Sequence, residues 1–322
     1  MVGGTGKSES TTADVVVVSG LSKLGVSRAV LALGVFDGVH LGHQAIVREL
    51  LSLARRLSAV PVALYFEPHP RQVLGRGAPA RLCSPQERIA QLRSLGVRHF
   101  VSFPFTRELA GLSPESFFRR HLSVPGVSVP GYCVGWNWRF GCGNAGDGAL
   151  LAELSGAEVR VVPAVELDGQ PVSSTRIRAA LADGRVEEAA RLLGRPFVLS
   201  GEVTHGQHLG STALAYPTAN VLDGGVCLPA FGVYAARGRI DGDGPWHDGI
   251  LYVGDAPTLR GGSVVVELHL FEFAGELYGH GLEIEFVSHI RGSVRFADAE
   301  ALRRQIACDI VRAREVLSAG RG

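Results

Sequence analysis

"GVFDGVHLGH", residues 34–43, lies between the apolar run "SRAVLAL" (27–33) and the segment "QAIVRELLSLARRL" (44–57). The run before it reads as a buried strand and the segment after it repeats apolar residues at helical spacing, so the ten residues span a strand-to-helix turn. Gly34, Gly38 and Gly42 let backbone approach a ligand closely. Two histidines, His40 and His43, stand three apart at the mouth of the helix, where free N–H groups and the helix dipole favour an anion. That placement suits a phosphate clamp: two imidazoles able to hydrogen-bond phosphate oxygens and stabilise charge developing on them. A plain glycine turn with surface histidines is the competing reading of this stretch alone.

Outward from it, short apolar runs alternate with helix-like segments up to about residue 170: "VPVALYF" (60–66), "SPQERIAQLRSLG" (84–96), "HFVSFPF" (99–105) and "SPESFFRRHL" (113–122). This rhythm predicts an α/β unit with a doubly wound parallel sheet, whose ligands bind at the carboxyl ends of the strands. Ser84 and Ser113, each followed by proline and then an acid, are expected helix N-caps. From about 196 to 293 the chain changes to short Val-, Tyr- and Phe-rich runs broken by Gly, Pro and Asp, which predicts a small antiparallel barrel. A closing helix capped by Asp298 is expected to bury Leu302, Ile306, Ile310, Val311, Val316 and Leu317.

Length and composition bound the function. A chain of 322 residues is about twice a usual domain, so two domains are expected. A formal net charge of +1 without a basic stripe argues against nucleic acid or acidic membrane as partner. The apolar runs are far shorter than the roughly 20 residues a membrane helix needs. Five scattered cysteines without a C-x-x-C pattern suggest neither a disulfide framework nor zinc, and point to a reducing cytoplasm. Residues 1–14 are read as a disordered tail. Their "GGTGKS" imitates the end of a Walker A loop but follows no strand.

The motif H-x-G-H after "GVFDG" is the signature of the nucleotidyltransferase superfamily. With "YFEPHPRQVL" (65–74), "FPFTRELAGLSPESF" (103–117), "VGWNWRFGCGNAG" (134–146), "VSSTRIR" (172–178), "YPTANV" (216–221) and "VVELHLFEF" (265–273) in order, the chain resembles prokaryotic bifunctional riboflavin kinase/FAD synthetases over residues 30–318. The resemblance implies a Rossmann-like FMN adenylyltransferase domain over 15–185 and a riboflavin kinase-like barrel with its helix over 186–322. It implies ATP, riboflavin and FMN as substrates and Mg²⁺ as cofactor. Gly34, Phe36, Asp37, Gly38, Gly42, Asn137, Ser173, Ser174, Thr175, Arg176 and Arg178 are the expected nucleotide and phosphate contacts, joined by Gly210 in the second half. Phe66, His69, Pro70 and Phe103 are the expected flavin contacts. In the barrel, Thr218 and Asn220 map onto the family's Mg²⁺ site and Glu267 onto its general base.

The sequence departs from this family in two places, both in the second half. Relatives carry Lys or Arg in the loop before Pro-Thr-Ala-Asn, whereas "THGQHLGSTALAYPTAN" (204–220) has neither, and Ala215 stands where glycine is usual. "VGDAPTLRGG" (253–262) also replaces the family's Pro-Thr-Phe. Without a cation, charge-assisted bonds to phosphate are lost unless His205 or His208 is protonated. A transferase whose kinase turnover is weak or absent, and a flavin-responsive regulatory protein, are therefore the alternatives to a full bifunctional enzyme.

Overall fold

The computed structural model describes residues 15–75, 77–204, 219–221, 225–255, 264–275 and 277–320. The first sheet contains β1 (Val16–Val18), β2 (Arg28–Leu33), β3 (Val60–Glu67), β4 (His99–Pro104), β5 (Ser128–Gly135) and β6 (Glu158–Val162). Its order is β1-β4-β3-β2-β5-β6, with every neighbouring pair parallel. Parallel strands need crossovers, and the helices α1 (Leu41–Arg56), α2 (Pro70–Val73), α3 (Pro85–Ser94), α4 (Arg107–Ala110), α5 (Pro114–Phe117) and α6 (Gly148–Ser155) lie in them. β2 is buried from Ala29 to Leu33, as a central strand covered on both faces must be. Leu31, Leu64, Val101, Tyr132 and Val134 belong to the core of this sheet.

The expected caps form. Ser84 and Glu87 make a reciprocal box, with the Glu87 amide donating to Ser84 Oγ at 3.1 Å and the Ser84 amide donating to Glu87 Oε2 at 2.6 Å. Ser113 Oγ accepts from the Ser116 amide at 3.2 Å.

After a short hairpin of β7 (Glu166–Leu167) and β8 (Gln170–Pro171) come α7 (Ser174–Ala182) and α8 (Val186–Leu193). The remaining strands, β9 (Phe197–Thr204), β10 (Ala219–Val221), β11 (Gly232–Ile240), β12 (His247–Asp255), β13 (Val264–Leu270) and β14 (Gly281–Gly292), close into a barrel in the order β10-β13-β12-β11-β14-β9. Every barrel pair is antiparallel. The fold is thus the expected parallel α/β sheet followed by an antiparallel barrel and a helix, α9 (Ala299–Ala319).

The α9 face differs from the sequence expectation. Its buried residues are Asp309, Ala313 and Leu317, flanked by half-buried Ile310 and Val316, while Val311 is 59% exposed. The reason is electrostatic. Arg291 Nε and Gln305 Nε2 each donate to Asp309 at 2.9 Å, which turns an i, i+4 stripe containing a carboxylate towards the barrel.

Contacts divide the chain into two units that are interleaved in sequence. One holds most of the first 164 residues; the other takes Asp37–Leu41, Ala80–Arg88 and everything from Val165 onward. The barrel's hydrophobic core accordingly includes Leu82, Ile177 and Leu181 together with Leu199, Leu251, Leu268 and Phe286.

Candidate functional site

In the sheet unit, the chain leaves β2 for β3 and β4 on one side, then returns to β5 and β6 on the other. The switch point lies at the carboxyl ends of β2 and β5, which pair through Leu33 and Val134. An open α/β sheet binds its ligands at such a crevice. Gly34, Phe36 and His43 follow β2, and exposed Asn137 follows β5. A Cβ on Gly34 would stand 3.1 Å from the Phe36 ring, so any larger residue here requires that ring to give way. Phe36 is fully buried at φ 54°, and its ring meets that of His43 edge-on at 5.3 Å. Its side chain is therefore part of the core under the turn and is not an exposed ligand contact. Gly42 and His43 lie in the first turn of α1, which has no acidic residue there and ends in Arg55 and Arg56, leaving the helix dipole free to attract an anion.

The expected flavin contacts split between core and rim. Phe103 is buried, whereas Phe66, His69 and Pro70 are half-buried. The Phe66 ring lies 6.5 Å from Phe103, 5.3 Å from Phe105 and 6.3 Å from Phe117, and Trp138 stacks on Phe140 at 4.8 Å. Pro70 opens α2 and His69 Nδ1 accepts from the Arg71 amide at 3.1 Å, so this pair builds the turn after β3.

In the barrel unit, the segment Asp37–Leu41 is held from several directions. Asp37 and His40 are both buried. Asp37 Oδ1 accepts from the Leu82 amide at 2.9 Å, and its other oxygen pairs with Arg178. Ser174 Oγ donates to the Asp37 carbonyl at 3.0 Å, and the Gly38 amide donates to Cys83 Sγ at 3.3 Å. Gly38 has φ 78°, and a Cβ there would come within 2.9 Å of Leu82. Val39, a β-branched residue, sits at φ 41°, a conformation that persists only where its surroundings impose it. Arg195, in the connection from α8 to β9, donates from Nη2 to the Gly38 carbonyl at 2.8 Å and from Nη1 to the Val39 carbonyl at 3.4 Å. Burial, followed by the Arg195 and Arg178 cations, pushes the His40 imidazole down to about 4, so it is neutral at pH 7.

The "SSTRIR" residues start a helix as expected. Ser173 caps α7, its Oγ accepting from the Arg176 amide at 3.2 Å, and Thr175 is exposed. Both guanidiniums expected at phosphate are directed to protein acceptors. Arg176 donates to the Leu167 and Gln170 carbonyls at 2.8 and 3.1 Å and pairs with Glu188 at 3.2 Å. Arg178 donates to the Ala80 carbonyl at 2.6 Å besides its pair with Asp37.

In the barrel itself, the register sets Asn220 of β10 opposite Glu267 of β13, and Tyr252 of β12 opposite Glu267 on its other side. Glu267 is half-buried, and burial raises its carboxyl above the usual range. Gly210, Thr218, His205, His208 and Ala215 lie outside the described residues. Among the described residues no group of three or more His, Cys, Asp or Glu could hold a metal ion.

Sequence reasoning missed Arg195, Leu82, Cys83 and Trp138. The first three reach Asp37–Val39 from 45 to 157 residues away, where no local pattern could reveal them.

Two family models match the chain in succession: FAD synthetase over residues 24–176 and riboflavin kinase over 193–317. A bifunctional riboflavin kinase/FMN adenylyltransferase of Pseudomonas fluorescens is 40% identical over 88% of this chain and 92% of its own length. The one of Escherichia coli K12 is 35% identical over 92% and 96%, and that of Bacillus subtilis 33% over 88% and 90%. The fold is shared with a solved Streptococcus pneumoniae protein described as a macrolide-efflux protein, with a TM-score of 0.84 and 30% identity over 93% of this chain and 98% of the other. No described helix of this chain is long and apolar enough to cross a membrane.

A nucleotidyltransferase-type sheet followed by a flavokinase-type barrel defines a two-module transferase. Each module carries its own motif set and its own family match. The chain belongs to the bifunctional riboflavin kinase/FMN adenylyltransferase family.

Proposed function

We propose that this chain phosphorylates riboflavin to FMN at the barrel and adenylylates FMN to FAD at the sheet, with ATP as donor in both steps. The observation that carries the reading is the match of one family model to each module, in chain order, with relatives aligned over nearly their whole lengths. We assign 15–185 to the transferase and 186–322 to the kinase.

For adenylyl transfer, an oxygen of the FMN phosphate attacks the α-phosphorus of ATP as the bond to pyrophosphate breaks. The chemistry asks for positioning and charge stabilisation more than for covalent help. The amides opening α1, His43 and Asn137 supply donors at the switch point of the sheet. His40, neutral, donates a hydrogen bond without needing to lose a proton first. The amides opening α7 and the exposed Thr175 hydroxyl offer further donors for the leaving pyrophosphate. Asp37, Arg176 and Arg178 act through their protein partners, holding the segments that carry these groups. Phe66, with Trp138 and Phe105 near the same sheet edge, offers apolar faces for the flavin ring.

For phosphorylation, Glu267 accepts the proton of the riboflavin 5′-hydroxyl as its oxygen attacks the γ-phosphorus and ADP leaves. Its raised pKa makes it a stronger base than an exposed carboxylate. Asn220 and Thr218 would hold Mg²⁺, which neutralises charge on the ATP phosphates when bound. One observation favours a slower kinase than transferase: no Lys or Arg occurs between Val203 and Asn220. Both reactions are placed in the cytoplasm, where ATP and reduced thiols coexist.

The test is incubation with riboflavin, ATP and Mg²⁺, and in parallel with FMN, ATP and Mg²⁺, followed by chromatography. FMN and FAD from the first mixture and FAD from the second are expected. FAD from the second mixture alone identifies a transferase with a silent kinase module. Flavin binding without product identifies a regulatory protein.

A further inference from the structure

Arg195 lies within the riboflavin kinase match, yet its guanidinium is spent on the loop of the other reaction. Nη2 donates to the Gly38 carbonyl at 2.8 Å, while Nη1 is shared between the carbonyls of Val39 at 3.4 Å and Leu193 at 3.3 Å. The Val39 carbonyl belongs to the peptide that enters His40. The bonds made by Leu82, Ser174 and Cys83 act upstream, on the Asp37 carboxylate and carbonyl and on the Gly38 amide. A rigid planar fork can fix two successive carbonyls, which a point cation on a flexible stem cannot. The backbone here needs such fixing, because Gly38 and Val39 both have positive φ.

We infer that Arg195 is a positioning residue for adenylyl transfer, its guanidinium fork setting the Gly38–Val39–His40 backbone and thereby the His40 imidazole. The inference rests on the assignment of adenylyl transfer made above. Fold stability alone does not call for a half-buried, partly desolvated cation beside the buried His40 imidazole. The charged and titratable groups around His40 are Arg195 from the α8–β9 connection, Arg178 from α7, and Asp37 and Cys83, which bond the same loop; Glu87 of α3 also faces Arg195. Arg195 also opposes protonation of His40, so its removal should show in the pH dependence as well as in the split between kcat and KM.

The experiment uses the full-length enzyme and its R195M and R195K variants, measuring kcat and KM for FAD formation from FMN against pH, with riboflavin phosphorylation in parallel. R195M is expected to lower kcat about 100-fold, the scale of misplacing a catalytic group by about an ångström, with KM for ATP and FMN nearly unchanged. Its acid limb should move to higher pH, because His40 has lost a cation that opposes its protonation, and its phosphorylation rate should match the parent. R195K keeps the charge and reaches one carbonyl, so a loss of about 3- to 10-fold with the parent's acid limb is expected. A parent-like kcat in R195M, or a loss confined to KM, overturns the inference. If R195M loses both activities through misfolding, R195K decides, and a parent-like kcat there is equally fatal. A parent enzyme that makes no FAD from FMN would instead remove the transferase reading itself.

Discussion

His40 and Glu267 make an instructive pair, one proposed for each reaction. Burial is the first cause of the shift in both, and it moves each towards its neutral form. The surroundings differ. His40 lies in an irregular loop stitched by Asp37, Cys83, Ser174 and Arg195, with two guanidiniums opposing its protonation. Glu267 stands on a regular strand, with desolvation as the cause of its shift. The same exclusion of water thus has two effects, an imidazole kept neutral and a carboxylate made more avid for a proton, each suited to the role proposed for it.

Removing either group tests the separation most severely. His40→Ala or His43→Ala should slow FAD formation from FMN by about 10²- to 10³-fold while riboflavin phosphorylation continues at the parent rate. Glu267→Gln should do the reverse, lowering FMN formation by about 10²- to 10⁴-fold and sparing FAD synthesis from supplied FMN. Chromatography of both products reads the result, and one variant silencing both reactions would collapse the comparison into a shared site.

The loop around His40 should also be the more fragile of the two environments. Asp37→Asn keeps the shape but leaves Arg178 without its anionic partner, and about 3 kcal/mol of stability should disappear in urea unfolding. A change below about 1 kcal/mol would show the pair to be screened like a surface one.

Titration sharpens the contrast. NMR should find the His40 imidazole silent from pH 8 down to pH 5, because its protonation is displaced to about 4, while the Glu267 carboxyl titrates above the usual 4.5. For His40 the folded value lies below the unfolded value of 6.5, so the unfolded chain binds the proton first. Its contribution to stability is present above pH 6.5 and declines as pH falls towards 4. Glu267 acts with the opposite sign, its raised value favouring the folded state as pH falls. A His40 resonance moving with a midpoint near 6.5 would contradict its burial.

The smallest expected effect concerns the neutral phosphate loop, which lies outside the described residues. Thr212→Lys, at a position where many relatives carry lysine, should lower the ATP KM for riboflavin phosphorylation about 3- to 10-fold and leave FAD synthesis unchanged. A parent enzyme whose phosphorylation already matches its adenylylation, and which ignores this substitution, would show that other barrel groups supply the missing charge.

Features encoded locally were legible in the sequence. The strand and helix around residues 34–43, the caps at Ser84, Ser113 and Asp298 and the Ser173 start of α7 all follow from short-range patterns, and the structure contains them. Features made by distant partners were not. The stripe expected on α9 included Val311, but the helix turned instead to bury Asp309, whose partner Arg291 is 18 residues away. Phe36 and Phe103 match ligand-binding motifs, yet their side chains are buried, which an aromatic residue type cannot announce. Asp37 and Arg178 each look like a ligand contact in isolation; their mutual pairing spans 141 residues.

The interleaving of the two contact units has a consequence for how the chain is made. Gly38 leaves the ribosome 157 residues ahead of Arg195, which at about 5–20 residues per second is an interval of roughly 8–30 s. By the time Val162 is added the whole of the parallel sheet has been synthesised, while Ser174, Arg178 and Arg195 are still to come. A nascent chain stalled just before Arg195 carries every strand of the sheet but lacks the guanidinium that bonds the Gly38 and Val39 carbonyls. On the inference drawn for Arg195, competence for adenylyl transfer is acquired only when the α8–β9 connection emerges, long after the histidine motif itself has been made.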